Sequence, residues 1–208
     1  SYRQRLHRID HGVPVPGGEF DKAAARAAFG LPQGVWLAVS SGRLTRTKNQ
    51  IALVGALDQL PEVHVALAGA GPEREALVAF AESHGVANRL HLVGEVPPAR
   101  IFEFLAAGDA YAFPSMTETF GLACVEAAIS GLPIVASNLD VMREVLTAED
   151  GSPAALFVEA NAAGMASGLA DLFARPESKA RLSAAGRRLR DKYSPARMCA
   201  GYEALLLG

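Results

Sequence analysis

The sequence predicts an α/β fold, a parallel sheet covered by helices on both faces. Three observations carry that prediction. Apolar runs of strand length recur roughly every 20–28 residues, each followed by a helical stretch. The runs are continuous rather than alternating, as suits strands buried on both faces. No linker rich in Gly, Ser or Pro divides the 208 residues, so the chain reads as a single domain, 1–208.

The elements follow in order. Ser1 to Arg8 is polar and begins abruptly. Arg8–Pro14 reads as a short strand running into a loop at Pro14, Pro16, Gly17 and Gly18. Asp21–Phe29 is an Ala-rich helix, capped by Asp21 and closed by Gly30. Val35–Gly42 is the first long strand. Helix Asn49–Leu60 leads to strand Val63–Ala68, and helix Glu73–His84 to strand Arg89–Val93. Helix Pro98–Ala106 leads to strand Ala110–Phe113, and helix Gly121–Ser130 to strand Pro133–Ala136. A short helix near Val141–Leu146 precedes strand Ala154–Val158. Two helices, about Asn161–Ala174 and Glu177–Asp191, and an amphipathic segment Pro195–Leu207 complete the chain. In such sheets ligands bind beyond the carboxyl ends of the strands. The motifs below all fall in loops at that edge.

Composition narrows the classes. Half the residues are hydrophobic and a fifth are charged, as in soluble globular proteins. The net charge of −2 provides no global field for nucleic acid or membranes, so any anion site is local. Cys124 and Cys199 lie far apart in apolar helical contexts. They read as two buried thiols in a reducing compartment, not as a disulfide or metal pair. The five histidines show no metal-ligand spacing, and no Asp-x-Asp pair is present to hold a divalent ion beside a diphosphate.

The stretch Ala112–Ala128 organises the rest. It reads as a strand end, a tight loop and a buried helix. Leu122, Val125, Glu126 and Ile129 share one helical stripe. A carboxylate on a buried stripe is costly unless something pairs with it. Glu118 is a second carboxylate just ahead of the helix, and Gly121 between them allows close backbone approach. The first helical turn, about Phe120–Ala123, presents free amides and the positive end of the dipole. An anion site flanked by two carboxylates fits a phosphate attached to something rich in hydroxyls. The alternatives are a solvated Glu118 and a core ion pair for Glu126.

Four other loops bear on the site. Ser40–Asn49 leaves the first long strand with Gly42, Arg43, Arg46 and Lys48 ahead of a helix. Cations there oppose the helix dipole by about 0.3–1 kcal/mol each unless an anion binds. Arg43 could grip phosphate oxygens bidentately, and Lys48 could act as a point charge. Otherwise the loop is a solvated basic turn. Gly69 and Gly71 open a helix after a strand, as in a dinucleotide fingerprint, but the third glycine is Arg74. A plain turn is equally compatible. The Gly94–Glu95–Val96 loop could read the edge of a flat base, or be structural. Ser137–Glu144 reads as a loop with helix-capping residues.

Glu118 and Glu126 are separated by seven residues, an E-x7-E pattern. It sits in Pro114-Ser115-x-x-Glu118-x-Phe120-Gly121-Leu122-x-x-x-Glu126-Ala127, followed by Gly131–Ala136 and preceded by Gly42-Arg43-x4-Lys48. In that order the motifs resemble the C-terminal, donor-binding domain of the retaining GT-B glycosyltransferases of family 4, over about Ile9–Leu207. The resemblance implies one Rossmann-like half of a GT-B fold. It implies that Arg43 and Lys48 bind the diphosphate of a UDP- or GDP-linked sugar. Gly42, Gly69 and Gly71 would be among the substrate-binding residues. Thr119, Phe120, Gly121 and Leu122 would meet the distal phosphate and the sugar. Glu126 would hold the ribose, Glu118 the transferred sugar, and Glu95 and Val96 the base. Catalysis would rest on Glu118, Arg43 and Lys48, with no metal and no cofactor. The partners implied are the nucleotide sugar and an N-terminal acceptor domain that this chain lacks. The isolated domain would then be inactive, with the apolar face of Pro195–Leu207 exposed. The expected location is cytoplasmic, at the inner membrane face if the absent domain carries it there, without direct membrane contact from this half, and the net charge argues against a nucleic-acid partner.

The chain departs from the family at Leu139–Glu144, where a Gly-Gly often precedes Pro-Glu, and this leaves the role of Glu144 open. Two other readings stay in view, a GT-B sugar-nucleotide epimerase half and a non-catalytic nucleotide-sugar-binding module. A dinucleotide oxidoreductase is disfavoured by the missing third glycine.

Overall fold

The computed structural model describes residues 7–207. The polar opening lies, in its residues 1–6, outside that range. Six strands form one sheet: β1 (Trp36–Ser41), β2 (Val63–Ala68), β3 (Leu90–Gly94), β4 (Ala110–Phe113), β5 (Ile134–Ser137) and β6 (Ala155–Val158). The spatial order is β3-β2-β1-β4-β5-β6, and every pairing is parallel. The order reverses between β1 and β4, which places a crevice above their carboxyl ends. The loop after β1 carries Arg43, Arg46 and Lys48, and the loop after β4 carries Glu118.

Helices cover both faces. They are α1 (Lys22–Ala28), α2 (Gln50–Ala56), α3 (Arg74–Ser83), α4 (Ile101–Ala106), α5 (Leu122–Ser130), α6 (Asp140–Val145), α7 (Ala162–Ala174), α8 (Pro176–Lys192) and α9 (Pro195–Leu207). Strand alternation divides the core in two. Leu37, Val39, Tyr111, Phe113, Ile134 and Ala136 point to the α4, α5 and α8 side. Ala38, Val65, Leu67, Ala112 and Val135 point to the α2, α3 and α7 side. That two-sided burial is why the strands read as continuous apolar runs.

Several expectations change. Residues 8–14 form no strand, because they run beside α8 and α9 instead of a sheet edge, with the Val13 N–H donating to Tyr193 O at 2.7 Å. Helix 49–60 shortens to α2, with a 3₁₀ turn over Leu57–Gln59. Asn49 adopts the left-handed conformation and caps nothing. Its Nδ2 instead donates to Pro114 O (3.1 Å) and Ala160 O (2.9 Å), tying the β1, β4 and β6 loops together. Cys199 is exposed, since the face of α9 that carries it meets solvent; Cys124 is buried, and both are free thiols. Tyr202, Leu205, Leu206 and Leu207 are exposed on α9.

Arg26 is a buried cation that periodicity did not reveal. It is 4% exposed, and its Nη2 meets Asp109 Oδ2 at 2.8 Å. Its other nitrogens donate to Ala107 O and Val35 O. The same Asp109 oxygen accepts the Leu37 N–H at 2.9 Å. This network pins α1 to the amino ends of β1 and β4, at the edge of the sheet remote from the crevice.

Candidate functional site

The loops after β1, β2 and β3 are zipped together by the backbone. The Gly42 N–H donates to Ala68 O, the Leu44 N–H to Ala70 O, and the Gly69 N–H to Gly94 O. A Cβ on Gly69 would lie 2.0 Å from Gly42 O, and one on Gly71 would lie 2.2 Å from Leu44 O. Both glycines also have positive φ, 150° and 159°. Their role in the fold is therefore loop-to-loop contact. Because the Gly42 and Gly69 amides are already engaged, they are not open phosphate donors. Gly71 falls outside the cavity lining altogether.

Residues that the sequence left unmarked hold the basic loop in place. Tyr111 is fully buried beneath Ser41. Its hydroxyl accepts the Ser41 N–H at 3.3 Å and shares a hydrogen bond with Ser41 Oγ at 3.1 Å. Buried Gln50 donates to Arg43 O at 3.0 Å. Ser115 Oγ donates to Thr47 O, and the Met116 N–H also donates to Thr47 O. Strand-like and helix-like patterns conceal these roles. Only the fold brings positions 41 and 111, or 47 and 115, together.

Two cavities meet above β1 and β4. The larger, about 690 Å3, is lined by Arg43, Gly69, Glu95, Val96 and Glu126, among others. The smaller, about 310 Å3, is lined by His11, Lys48, Glu118, Thr119, Phe120 and Gly121, among others. Ser41, Gly42, Leu122 and Ala123 border both, so the first turn of α5 sits at the junction. The amides of Leu122 and Ala123 begin that helix, and no acceptor for them is found among the described residues. They offer open donors at the positive end of the helix dipole.

The two glutamates occupy different environments. Glu126 is half-buried in the larger cavity, with no hydrogen-bond or ion-pair partner among the described residues. Burial alone pushes its carboxyl above the ordinary range. Leu122, expected on the same buried stripe, is 47% exposed because it borders the crevice. Gly121 has φ 83°, and a Cβ there would meet Met142 Cε at 2.7 Å, so buried Met142 occupies the space expected for an approaching group.

Glu118 lies in the smaller cavity and is bonded to Lys48 Nζ at 2.6 Å. Its other oxygen accepts the Thr119 N–H at 3.0 Å. Burial raises this carboxyl, but the Lys48 and amide hydrogen bonds outweigh burial and hold it below the ordinary range. Lys48 is thus not a free phosphate cation beside Arg43; the structure pairs it with the second predicted catalytic residue. Arg43 is exposed at the larger cavity, with no ion pair among the described residues. Arg46 lines neither cavity. Glu144 pairs with Arg8 at the surface, and neither lines the two cavities. Among the described residues, no group of three or more His, Cys, Asp or Glu side chains forms a ligand set.

A doubly wound parallel sheet with a cationic loop, an open helix N-terminus and a half-buried carboxylate at its switch point defines a Rossmann-like α/β domain with a ligand-sized crevice at that edge. The sequence profile of Glycosyl transferases group 1 matches residues 21–189, and the chain belongs to that family. It is 34% identical over 139 residues to the D-inositol 3-phosphate glycosyltransferase of Segniliparus rotundus, a match covering 63% of this chain and 30% of that protein. It is 32% identical over 172 residues to the lipopolysaccharide core biosynthesis glycosyltransferase LpsD of Rhizobium meliloti, covering 82% of this chain and 49% of that protein. The chain thus spans half or less of the length of these relatives. Its fold is that of GT-B glycosyltransferase structures. Anabaena HepE in complex with UDP-glucose superposes with a TM-score of 0.78 at 21% identity, over 90% of this chain and 53% of that one. No helix among the described residues is long and apolar enough to cross a membrane.

Proposed function

We propose that this chain is the donor-binding part of a retaining, metal-independent glycosyltransferase that takes a hexose from a UDP- or GDP-linked sugar. One observation carries this reading. A single cleft joins the unpartnered Glu126 carboxylate, the Arg43 guanidinium and the open amides of the α5 N-terminus. That set fits a ribose diol joined to a diphosphate. The Glu95–Val96 loop closes the far end of the larger cavity and takes the base. The smaller cavity takes the sugar. Charge developing on the leaving diphosphate is met by Arg43, Lys48 and the α5 amides. Retention and the acceptor-binding partner domain rest on the E-x7-E resemblance, as does a cytoplasmic location.

Calorimetry with UDP and GDP, with and without EDTA, tests this reading. The chain is expected to bind one of them weakly and equally well in both conditions. Strict dependence on a divalent ion would reject the metal-independent reading, and no binding of either would reject the donor site.

The Lys48–Glu118 bond makes a second, sharper prediction. Incoming phosphate competes with Glu118 for the ammonium group. Glu118→Ala frees Lys48, so UDP affinity is expected to stay level or rise, by about threefold at most, the value of a partly exposed charge contact. In the longer protein the same substitution is expected to lower turnover of the sugar donor. A tenfold loss of UDP affinity in the variant would show that Glu118 serves the nucleotide instead.

A further inference from the structure

We infer that His11 is a donor-sugar contact, a polar side chain that the fold delivers to the smaller cavity from outside the E-x7-E region. This rests on the donor-site reading above and extends it.

The position is built. The strap at residues 10–13 is held against the α8–α9 junction by the Val13 N–H to Tyr193 O bond (2.7 Å) and by Gly12 N–H donating to Met198 Sδ (3.2 Å). A Cβ on Gly12 would lie 2.6 Å from Pro195 Cα, so a larger residue would lift the strap away. The adjacent imidazole is then set by an aromatic relay. His11 meets Phe120 edge-on, with centroids 5.0 Å apart at 75°, and Phe120 meets Tyr193 edge-on at 5.7 Å and 90°. Tyr193 is buried, and its hydroxyl donates to Val145 O at 2.9 Å. Edge-to-face packing of this kind fixes ring orientation as well as position.

Apart from the Thr119 hydroxyl, the other polar side chains of that cavity are committed. Ser41 is bonded to Tyr111, and Lys48 and Glu118 are bonded to each other. His11 makes no side-chain hydrogen bond among the described residues while lining the same cavity. A neutral imidazole donates at one nitrogen and accepts at the other, which suits a ring hydroxyl. His11 does not line the larger cavity, where Arg43 and Glu126 stand. It is therefore placed to touch what is attached beyond the phosphates, and not the nucleoside.

The test titrates UDP, UDP-glucose, GDP and GDP-mannose into the 208-residue chain and into His11→Ala and His11→Phe. The Phe variant keeps the aromatic edge against Phe120 and removes both nitrogens. Both variants are expected to bind the preferred sugar nucleotide about three- to tenfold more weakly, the loss of one hydrogen bond. Affinity for the matching diphosphate should move by less than about twofold. Unchanged sugar-nucleotide affinity, an equal loss for the diphosphate, or wild-type affinity in His11→Phe would each overturn the assignment. If the unaltered chain binds none of the four, the donor-site reading itself fails. Losses in His11→Ala with diphosphate binding intact exclude misfolding as their cause.

Discussion

Glu126→Ala is expected to weaken UDP binding by about 1.5–3 kcal/mol, roughly tenfold or more, while leaving the chain folded. The reason is the environment of the carboxylate. It is half-buried, has no protein partner among the described residues, and faces the cavity that holds Arg43. Ribose hydroxyls would supply the hydrogen bonds that it lacks. Its melting temperature is the control. The apo protein holds a desolvated carboxyl whose pKa is raised, so its removal should not destabilise the ligand-free chain. The sign follows from linkage. A carboxyl raised in the folded state stabilises that state below its ordinary value of 4.5 and loses this contribution as pH rises through the raised value. Binding hydroxyl donors needs the ionised form and draws the pKa back down. UDP affinity should therefore fall as pH drops through the raised value, with proton release on binding in that range. Glu126→Gln should flatten the profile. A destabilised Glu126→Ala protein with normal UDP affinity would mark Glu126 as a structural carboxylate.

Arg26→Ala is expected to cost about 3–5 kcal/mol of folding stability, the usual result of removing one partner of a buried ion pair. Asp109 would keep only Lys22 and the Leu37 amide, and the carbonyls of Ala107 and Val35 would lose their donor. For a chain of this size the fall in melting temperature is on the order of 10 °C. Thermal unfolding followed by circular dichroism measures it. UDP affinity of the variant below its transition should match that of the unaltered chain, since Arg26 lies at the opposite edge of the sheet. A shift under about 3 °C, or roughly 1 kcal/mol, would show that the pair is solvated.

These two residues show how unevenly a sequence reveals its structure. Glu126 stood out because a lone carboxylate on an apolar helix needs a reason. Arg26 did not, since an arginine in a short Ala-rich helix has the pattern of an exposed cation. Glu118 and Lys48 were both marked, yet their bond was not foreseen. The residues are 70 apart in sequence, and tethers from Asn49, Ser115 and Met116 bring the loops together. Gly69 lines the larger cavity while Gly71 does not, and both also serve a contact that their local pattern hides. Their lack of a side chain serves the Gly42 and Leu44 carbonyls, which no local pattern can indicate.

The amino-acid sequence by itself determined the order of β1 to β6 and their helices, the two-sided burial of the sheet and the edge at which the candidate site lies. Those properties follow from periodicity and from local turn chemistry, which act within a few residues. The tertiary structure alone decided which charges remain free. Desolvation and ion pairing depend on distances between segments that only folding sets. Thus Arg43 and Glu126 keep an open face, Lys48 and Glu118 satisfy each other, and His11 crosses from the far end of the chain to stand beside them.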